Sequence, residues 1–216
     1  MLTLPVEAGS AANRPARILV IGRSETVLSE AVTILREKGY AAGATNEFDR
    51  TLDLFDAGQL DLLFGGMVPP DTKEHLRGQI SARNPAAAFV QGYAGIPGLI
   101  AAQVEAALGD GTTGPAAVVT YDPRSRSIGI SLDEQQDVTV TAWWATSFVP
   151  PEPKSTSRVI LDKELPAGAH TIAIPDQVPA QASFATVYIG PSVHAFIVGP
   201  MPNGTTLARF PDPPST

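Results

Sequence analysis

Residues 17–39, Arg-Ile-Leu-Val-Ile-Gly-Arg-Ser-Glu-Thr-Val-Leu-Ser-Glu-Ala-Val-Thr-Ile-Leu-Arg-Glu-Lys-Gly, decide the fold of the first half of this chain. Ile18 to Ile21 form an apolar run without alternation, as expected of a strand buried on both faces. Ser24 stands where a helix needs an N-cap, and Glu25 suits the first turn. Val27, Leu28, Ala31, Val32 and Leu35 recur at helical spacing. Gly39 lies just past the end, the usual stop. The stretch is therefore a buried strand, a glycine turn and an amphipathic helix.

The same alternation continues. Tyr40 to Thr45 predicts a second strand. Asn46 is placed to cap a short helix whose inner face is Leu52, Leu54 and Phe55. Leu60 to Phe64 predicts a third strand. Asp71 and Glu74, after Pro69-Pro70, have the spacing of a capping box, opening a surface helix with Leu76 and Ile80 inward. Ala86 to Val90 predicts a fourth strand. Pro97 suits a first helical position, Ile100, Val104 and Leu108 form one stripe, and Gly109 ends it. Strand–helix units in sequence predict an α/β fold with a parallel sheet covered on both faces.

The pattern changes after residue 109. Of the 20 prolines, six precede residue 110 and 14 follow it. Gly109 to Pro115 contains three glycines and a proline and cannot continue a helix. Beyond it the apolar period is two. Ala117–Tyr121, Ser127–Leu132, Val138–Thr146, Arg158–Leu161, His170–Ile174, Phe184–Ile189 and Val193–Val198 predict about seven strands at the spacing of an antiparallel β-sandwich. Val138, Val140, Ala142 and Trp144 share one parity, which places Trp144 toward the core and Trp143 on the opposite face. The expected organisation is an arm over 1–16, an α/β domain over 17–109, a linker over 110–115, a β-sandwich over 116–199 and a proline-rich tail over 200–216.

The chain has 216 residues, of which 44% are hydrophobic and 17% charged, enough for a sizeable core. Its formal charge of −7 argues against a nucleic-acid surface. It has no cysteine, which removes disulfides, thiolate metal sites and cysteine nucleophiles. No apolar run is long enough to predict a membrane-crossing helix. The first 17 residues carry Pro5 and Glu7 and no apolar core of a secretory signal, so the cytoplasm is the expected location.

"RILVIG" at 17–22 and "DLLFGGMVPP" at 61–70, with the order and length of the elements around them, resemble response-regulator receiver domains over residues 17–109. The resemblance implies a flavodoxin-like, Rossmann-like three-layer fold. A working receiver needs an acidic pair after its first strand to hold Mg²⁺ and an aspartate after its third to accept phosphate. Gly22 and Arg23 occupy the first places and Gly66 the acceptor place. The family's lysine on a fifth strand also has no counterpart, since no lysine lies between Lys73 and Lys154. The resemblance thus implies the fold without phosphotransfer. Gly168-Ala169-His170-Thr171-Ile172 resembles the Gly-x-Tyr-x-Cys of a tyrosine corner. With Trp144 as core tryptophan and Ile130 at the other disulfide position, the second half is similar to immunoglobulin and fibronectin type III sandwiches.

Glycines follow the first, third and fourth strands: Gly22, Gly65 and Gly66, and Gly92. These loops sit at the carboxyl edge of the sheet, where open α/β folds bind ligands. With Arg23 and Ser24 they form the candidate ligand site, since glycine permits close backbone approach and a helix N-terminus favours an anion. The first reading of the same glycines is as tight strand-to-helix turns, since glycine at a strand end is first a backbone device. Glu47 or Asp49 lies where a dinucleotide-binding domain places its ribose acid, yet Gly22 to Val27 has one glycine where that fingerprint has three. His75, His170 and His194 form no metal-ligand spacing, and neither Ser24 nor Ser192 sits in a nucleophile elbow. The expected function is non-catalytic binding of a protein partner or small ligand, with no cofactor, no nucleic acid, no membrane and a possible homo-oligomer. The alternative is a Rossmann-like enzyme using a nucleotide or NAD(P) in the glycine-lined crevice.

Overall fold

The computed structural model describes residues 1–6, 15–66, 68–109, 117–147 and 154–201. By its contacts the chain divides into two compact units, one up to Val104 and one beginning at Glu105. The expected linker 110–115 and most of the tail 200–216 lie outside the described residues.

The first unit contains β1 (Thr3–Leu4), β2 (Arg17–Ile21), α1 (Glu25–Glu37), β3 (Ala41–Thr45), α2 (Thr51–Leu54), β4 (Leu62–Gly65), α3 (Pro70–Arg83), β5 (Ala88–Gln91) and α4 (Pro97–Leu108), with α4 running on past the unit boundary. Its sheet has the order β1-β3-β2-β4-β5. β2 pairs in parallel with β3 and β4, and β4 with β5. The sheet is mixed rather than all-parallel, because β1 pairs antiparallel with β3, Thr3 opposite Thr45 and Leu4 opposite Ala44. So the expected arm supplies a strand. Two devices allow it. Asn46 Oδ1 accepts the Leu2 N–H at 2.7 Å, so Asn46 holds the arm instead of capping a helix. Gly43 lacks a side chain where a Cβ would stand 2.6 Å from the Leu4 carbonyl oxygen.

Crossovers between parallel strands are right-handed. The helix after β2 leads to one side and the helix after β4 to the other, so the two fall on opposite faces. One core cluster joins Leu19, Ile21 and Leu63 of the sheet to Leu76 and Ile80 of α3 and to Phe55. Ile18, Val20, Leu62 and Phe64, of the other parity, are equally buried. α1 buries Val27, Leu28, Ala31, Val32 and Leu35, its Ser24 hydroxyl accepts the Val27 N–H at 3.2 Å, and Gly39 adopts φ +90°. α3 departs from the expected capping box. Its N-cap is Pro69 with no side-chain bond, and Asp71 lies inside the first turn. Pro70, with φ already set for a helix, starts it one residue early.

The second unit contains β6 (Ala117–Asp122), β7 (Ser127–Leu132), β8 (Gln136–Ser147), β9 (Lys154–Leu165), β10 (Gly168–Ala173), β11 (Ser183–Ile189) and β12 (Ser192–Gly199). They form two antiparallel sheets, β10-β7-β6 and β12-β11-β8-β9. Ile128, Ile130 and Leu132 of the first share one core with Val138, Val140, Ala142, Ala185, Val187 and Ile189 of the second. The Tyr121 hydroxyl on β6 donates to the Val198 carbonyl on β12 at 2.8 Å, tying sheet to sheet. The tyrosine-corner assignment does not hold. β10 pairs with β7 in the same sheet, His170 opposite Ile130 and Ile172 opposite Ile128. A corner and its cross-core partner must lie in different sheets, and a five-residue pattern cannot report which sheet a strand joins.

Trp144 packs against the core cluster, as its parity requires. Trp143, on the other side of β8, is half-buried, and its indole N–H donates to the Thr186 hydroxyl at 2.9 Å. Thr186 is fully buried. Trp144→Ala should lower unfolding stability by about 3 kcal/mol, the lower end for a large aromatic because it is only partly buried. Trp143→Phe keeps a ring but leaves Thr186 without its donor, and should cost about 1 kcal/mol. Denaturant midpoints for the two variants check this order, and the reverse order would mean that β8 presents its other face to the core.

Candidate functional site

The carboxyl edge of the first sheet is built by the ends of β2, β4 and β5. At each end the hydrogen-bond ladder runs one residue further, through a glycine. Gly22 N–H donates to Thr45 O at 3.3 Å, Gly66 N–H to Ile21 O at 2.9 Å and Gly92 N–H to Gly65 O at 2.9 Å. Gly66 lies against β2: a Cβ there would stand 3.3 Å from the Ile21 oxygen and 3.9 Å from the Gly22 Cα. At Gly92 a Cβ would stand 2.6 Å from two ring carbons of Phe64, so the Phe64 ring fills the space that this glycine leaves. Gly65 ends β4 and is buried. These contacts give Gly66 and Gly92 a packing role.

The two side chains expected with them are placed differently. Arg23 is exposed, and the Ser24 hydroxyl caps α1. Glu25 beside them meets the start of the chain: the Met1 ammonium donates to its Oε1 at 2.7 Å and Asn46 Nδ2 at 3.1 Å. The hydrogen bond from that ammonium, then the one from Asn46, hold the Glu25 carboxyl below the usual carboxylate range. Glu47, one of the two acids considered for a ribose, accepts from Arg50 at 2.9 Å and from the Thr3 hydroxyl at 2.9 Å. Asp49 is exposed.

The structure adds a cluster that the sequence reading missed. Lys73, on the first turns of α3, is only 1% exposed. Its ammonium donates to Gln91 Oε1 at 2.6 Å, at the end of β5. Gln91 Nε2 donates to the Gly92 carbonyl at 2.8 Å. Gln103 of α4 clamps the same turn, donating to Gln91 O and accepting from Tyr93 N–H, each at 3.1 Å. Desolvation pushes the Lys73 pKa down from its ordinary value. The signal was present: Lys73, Leu76 and Ile80 stand at i, i+3 and i+7, so a lysine occupies a core position of α3.

At this edge the Lys73 ammonium is buried and bonded to Gln91 and the Arg23 side chain is exposed, where a phosphotransfer site presents carboxylates. Among the described residues, no group of three or more His, Cys, Asp or Glu side chains is placed to hold a metal ion. His75 is exposed on α3. The His170 ring lies 2.8 Å from the Pro166 carbonyl. His194 stacks on Phe196 with centroids 6.4 Å apart, and burial lowers its pKa. No helix among the described residues is long and apolar enough to cross a membrane. No protein-family model matches this chain, and no curated protein matches it.

A lysine whose folded pKa lies below its unfolded value binds fewer protons when folded than when unfolded as pH approaches 10.5. Stability should therefore rise with pH through that window. Lys73→Met, which keeps the length of the side chain and removes the charge, should flatten this alkaline rise. Urea midpoints between pH 7 and pH 10 for both proteins check it, and equal slopes would rule out Lys73 as the source.

Proposed function

We propose that this chain is a non-catalytic binding protein that engages a protein partner or a small ligand. Its first unit is read as a receiver-like α/β domain without phosphotransfer chemistry, and its second as a fibronectin type III-like β-sandwich. Counted along the chain, the four parallel strands have the order 2-1-3-4, the flavodoxin-like order without its fifth strand. In the second unit the first, second and fifth strands share one sheet, and the third, fourth, sixth and seventh share the other. That arrangement differs from the immunoglobulin constant-type order only in the fourth strand, which joins the third.

The observation that carries the proposal is what stands at the ends of β2 and β4. Gly22 and Arg23 follow β2, and Gly66 follows β4 with its N–H bonded to Ile21 O. Hard cations need oxygen ligands and phosphoryl transfer needs a nucleophile, and these positions offer neither. A fold that keeps its scaffold without its reactive groups retains surfaces and loops, which suit binding.

Incubation of the full chain with acetyl phosphate and Mg²⁺, followed by intact mass measurement, should give no phosphoryl adduct. A stoichiometric adduct on an aspartate would overturn the proposal. A thermal-shift screen against nucleotides, NAD(P) and flavins is the companion test, because a ligand of the native state alone raises stability by RT ln(1 + [L]/Kd). No saturable shift is expected. A saturable shift with NAD(P) would move the function to a nucleotide-dependent enzyme.

A further inference from the structure

The four-stranded sheet of the second unit ends on β9 at one side and on β12 at the other. The two edges are built differently. β9 carries Lys154, Arg158, Asp162, Lys163 and Glu164, and its register with β8 shifts at Val140/Thr141 and again at Ala145/Ser147. Charges and bulges of this kind keep an edge from pairing with another chain. β12 has no Asp, Glu, Lys, Arg or Pro. The direction of its backbone groups follows from the hairpin that opens it. Gly190 and Pro191 alone separate Ile189 from Ser192, which pair. The Gly190 N–H donates to Asp137 O on β8 at 3.3 Å, so Ile189 turns toward β12 and Ser192 toward β11. Backbone groups alternate in direction along a strand. Ser192, His194 and Phe196 therefore bond to β11, and Val193, Ala195 and Ile197 aim away from it. No strand lies beyond β12, and among the described residues no further hydrogen bond reaches these three. Ile197 is 39% exposed. At Val198 the open stretch ends, because that carbonyl takes the Tyr121 hydroxyl.

Such an edge takes up an extended strand, through main-chain bonds first and side-chain pairs second. This one carries no Asp, Glu, Lys or Arg, so a charged segment gains nothing there. β12 itself has the matching chemistry. Set antiparallel against a second β12 about a two-fold axis at Ala195, Ala195 meets Ala195 and Val193 meets Ile197. All are outward residues, so each pair exchanges two N–H···O bonds. His194 then falls opposite Phe196 of the second copy, on the core side of the sheet, where the two rings already stack within one chain. Neighbouring registers lose bonds. An axis at His194 sets Ile197 against Pro191, which has no N–H. An axis at Phe196 sets Val193 against Gly199, past the carbonyl that Tyr121 occupies. We propose that β12 is the contact of a symmetric dimer, in which two copies of this chain join their four-stranded sheets edge to edge. The joined sheet ends on the charged β9 at both sides, so association stops at two. The contact is smaller than the ~800 Å² per partner of a standard interface, so the dimer is weak and forms at high protein concentration. It involves the second unit alone, and the acetyl phosphate result leaves it untouched.

Sedimentation velocity of the full chain from about 5 to about 500 μM, the range in which small interfaces associate, should show a monomer passing to a dimer and nothing larger. Amide exchange at Val193, Ala195 and Ile197 should slow as the concentration rises, because their N–H groups enter bonds. Ala195→Pro removes an N–H that β11 does not use, a change that an edge strand tolerates, and should abolish the dimer. Ala195→Lys and Ala195→Glu each set like charges opposite one another at the axis, and each should weaken the dimer about fivefold. Mixing these two variants should restore it, since position 195 meets itself in this register alone. Should Ala195→Pro fail to fold, the mixing experiment decides the matter. A monomer at every concentration, unchanged association in a folded Ala195→Pro, or no recovery on mixing would each overturn the proposal. Protection of the three amides in a chain that stays monomeric would mean that another segment of the chain covers this edge, and would overturn it as well.

Discussion

The first unit depends on β2 having no face and no edge in water. Ile18, Leu19, Val20 and Ile21 are each at most 1% exposed, and the strand pairs with β3 on one side and β4 on the other. Backbone N–H and C=O groups in such a strand can only be satisfied by neighbouring strands. Helices must then cover both faces. The chain leaves β2 toward β3 and returns to β2's other side as β4, which puts the ends of β2 and β4 next to each other. Gly66 bonds to Ile21 O at that junction. The carboxyl edge is a consequence of this one buried strand.

The two edges of the sheet spend their polar groups differently. At the carboxyl edge the glycine turns are tied down by backbone hydrogen bonds, and Lys73, Gln91 and Gln103 complete a local network. A buried ammonium is costly unless hydrogen-bonded, and the 2.6 Å bond to Gln91 meets part of that need. At the amino edge Asp61 accepts the Arg17 backbone N–H, and Asp56 accepts the Gly58 N–H and the Gln59 amide, while the buried Arg17 Nε has no hydrogen-bond partner among the described residues.

The second unit follows a simpler rule. Alternation on β7, β8 and β11 gives each sheet one apolar face, and the two faces meet in one core. Polar ties then fix details that burial leaves free. Tyr121 bridges the sheets. Arg126, at φ +47°, reaches the Val178 carbonyl at 2.8 Å and pins the β6–β7 turn to the segment before β11.

The sequence by itself determined the elements whose periodicity is local. The α1 stripe, the Ser24 cap, the Gly39 stop and all seven strands of the second unit were legible, because each depends on residues a few positions apart. Pairing was not legible. Which sheet β10 joins, that Thr3 and Leu4 add a strand beside β3, and that Asn46 receives them rather than capping a helix all depend on residues 36 or more positions distant. The candidate site divides the same way. Glycines at strand ends were visible as glycines, but only the tertiary structure decided that Phe64 fills the space beside Gly92. It also decided that Lys73 is driven inward to reach Gln91 and that the Arg17 Nε is buried without a hydrogen-bond partner among the described residues. Burial and hydrogen-bond partnership are properties of neighbours in space, and one chain read in order does not contain them.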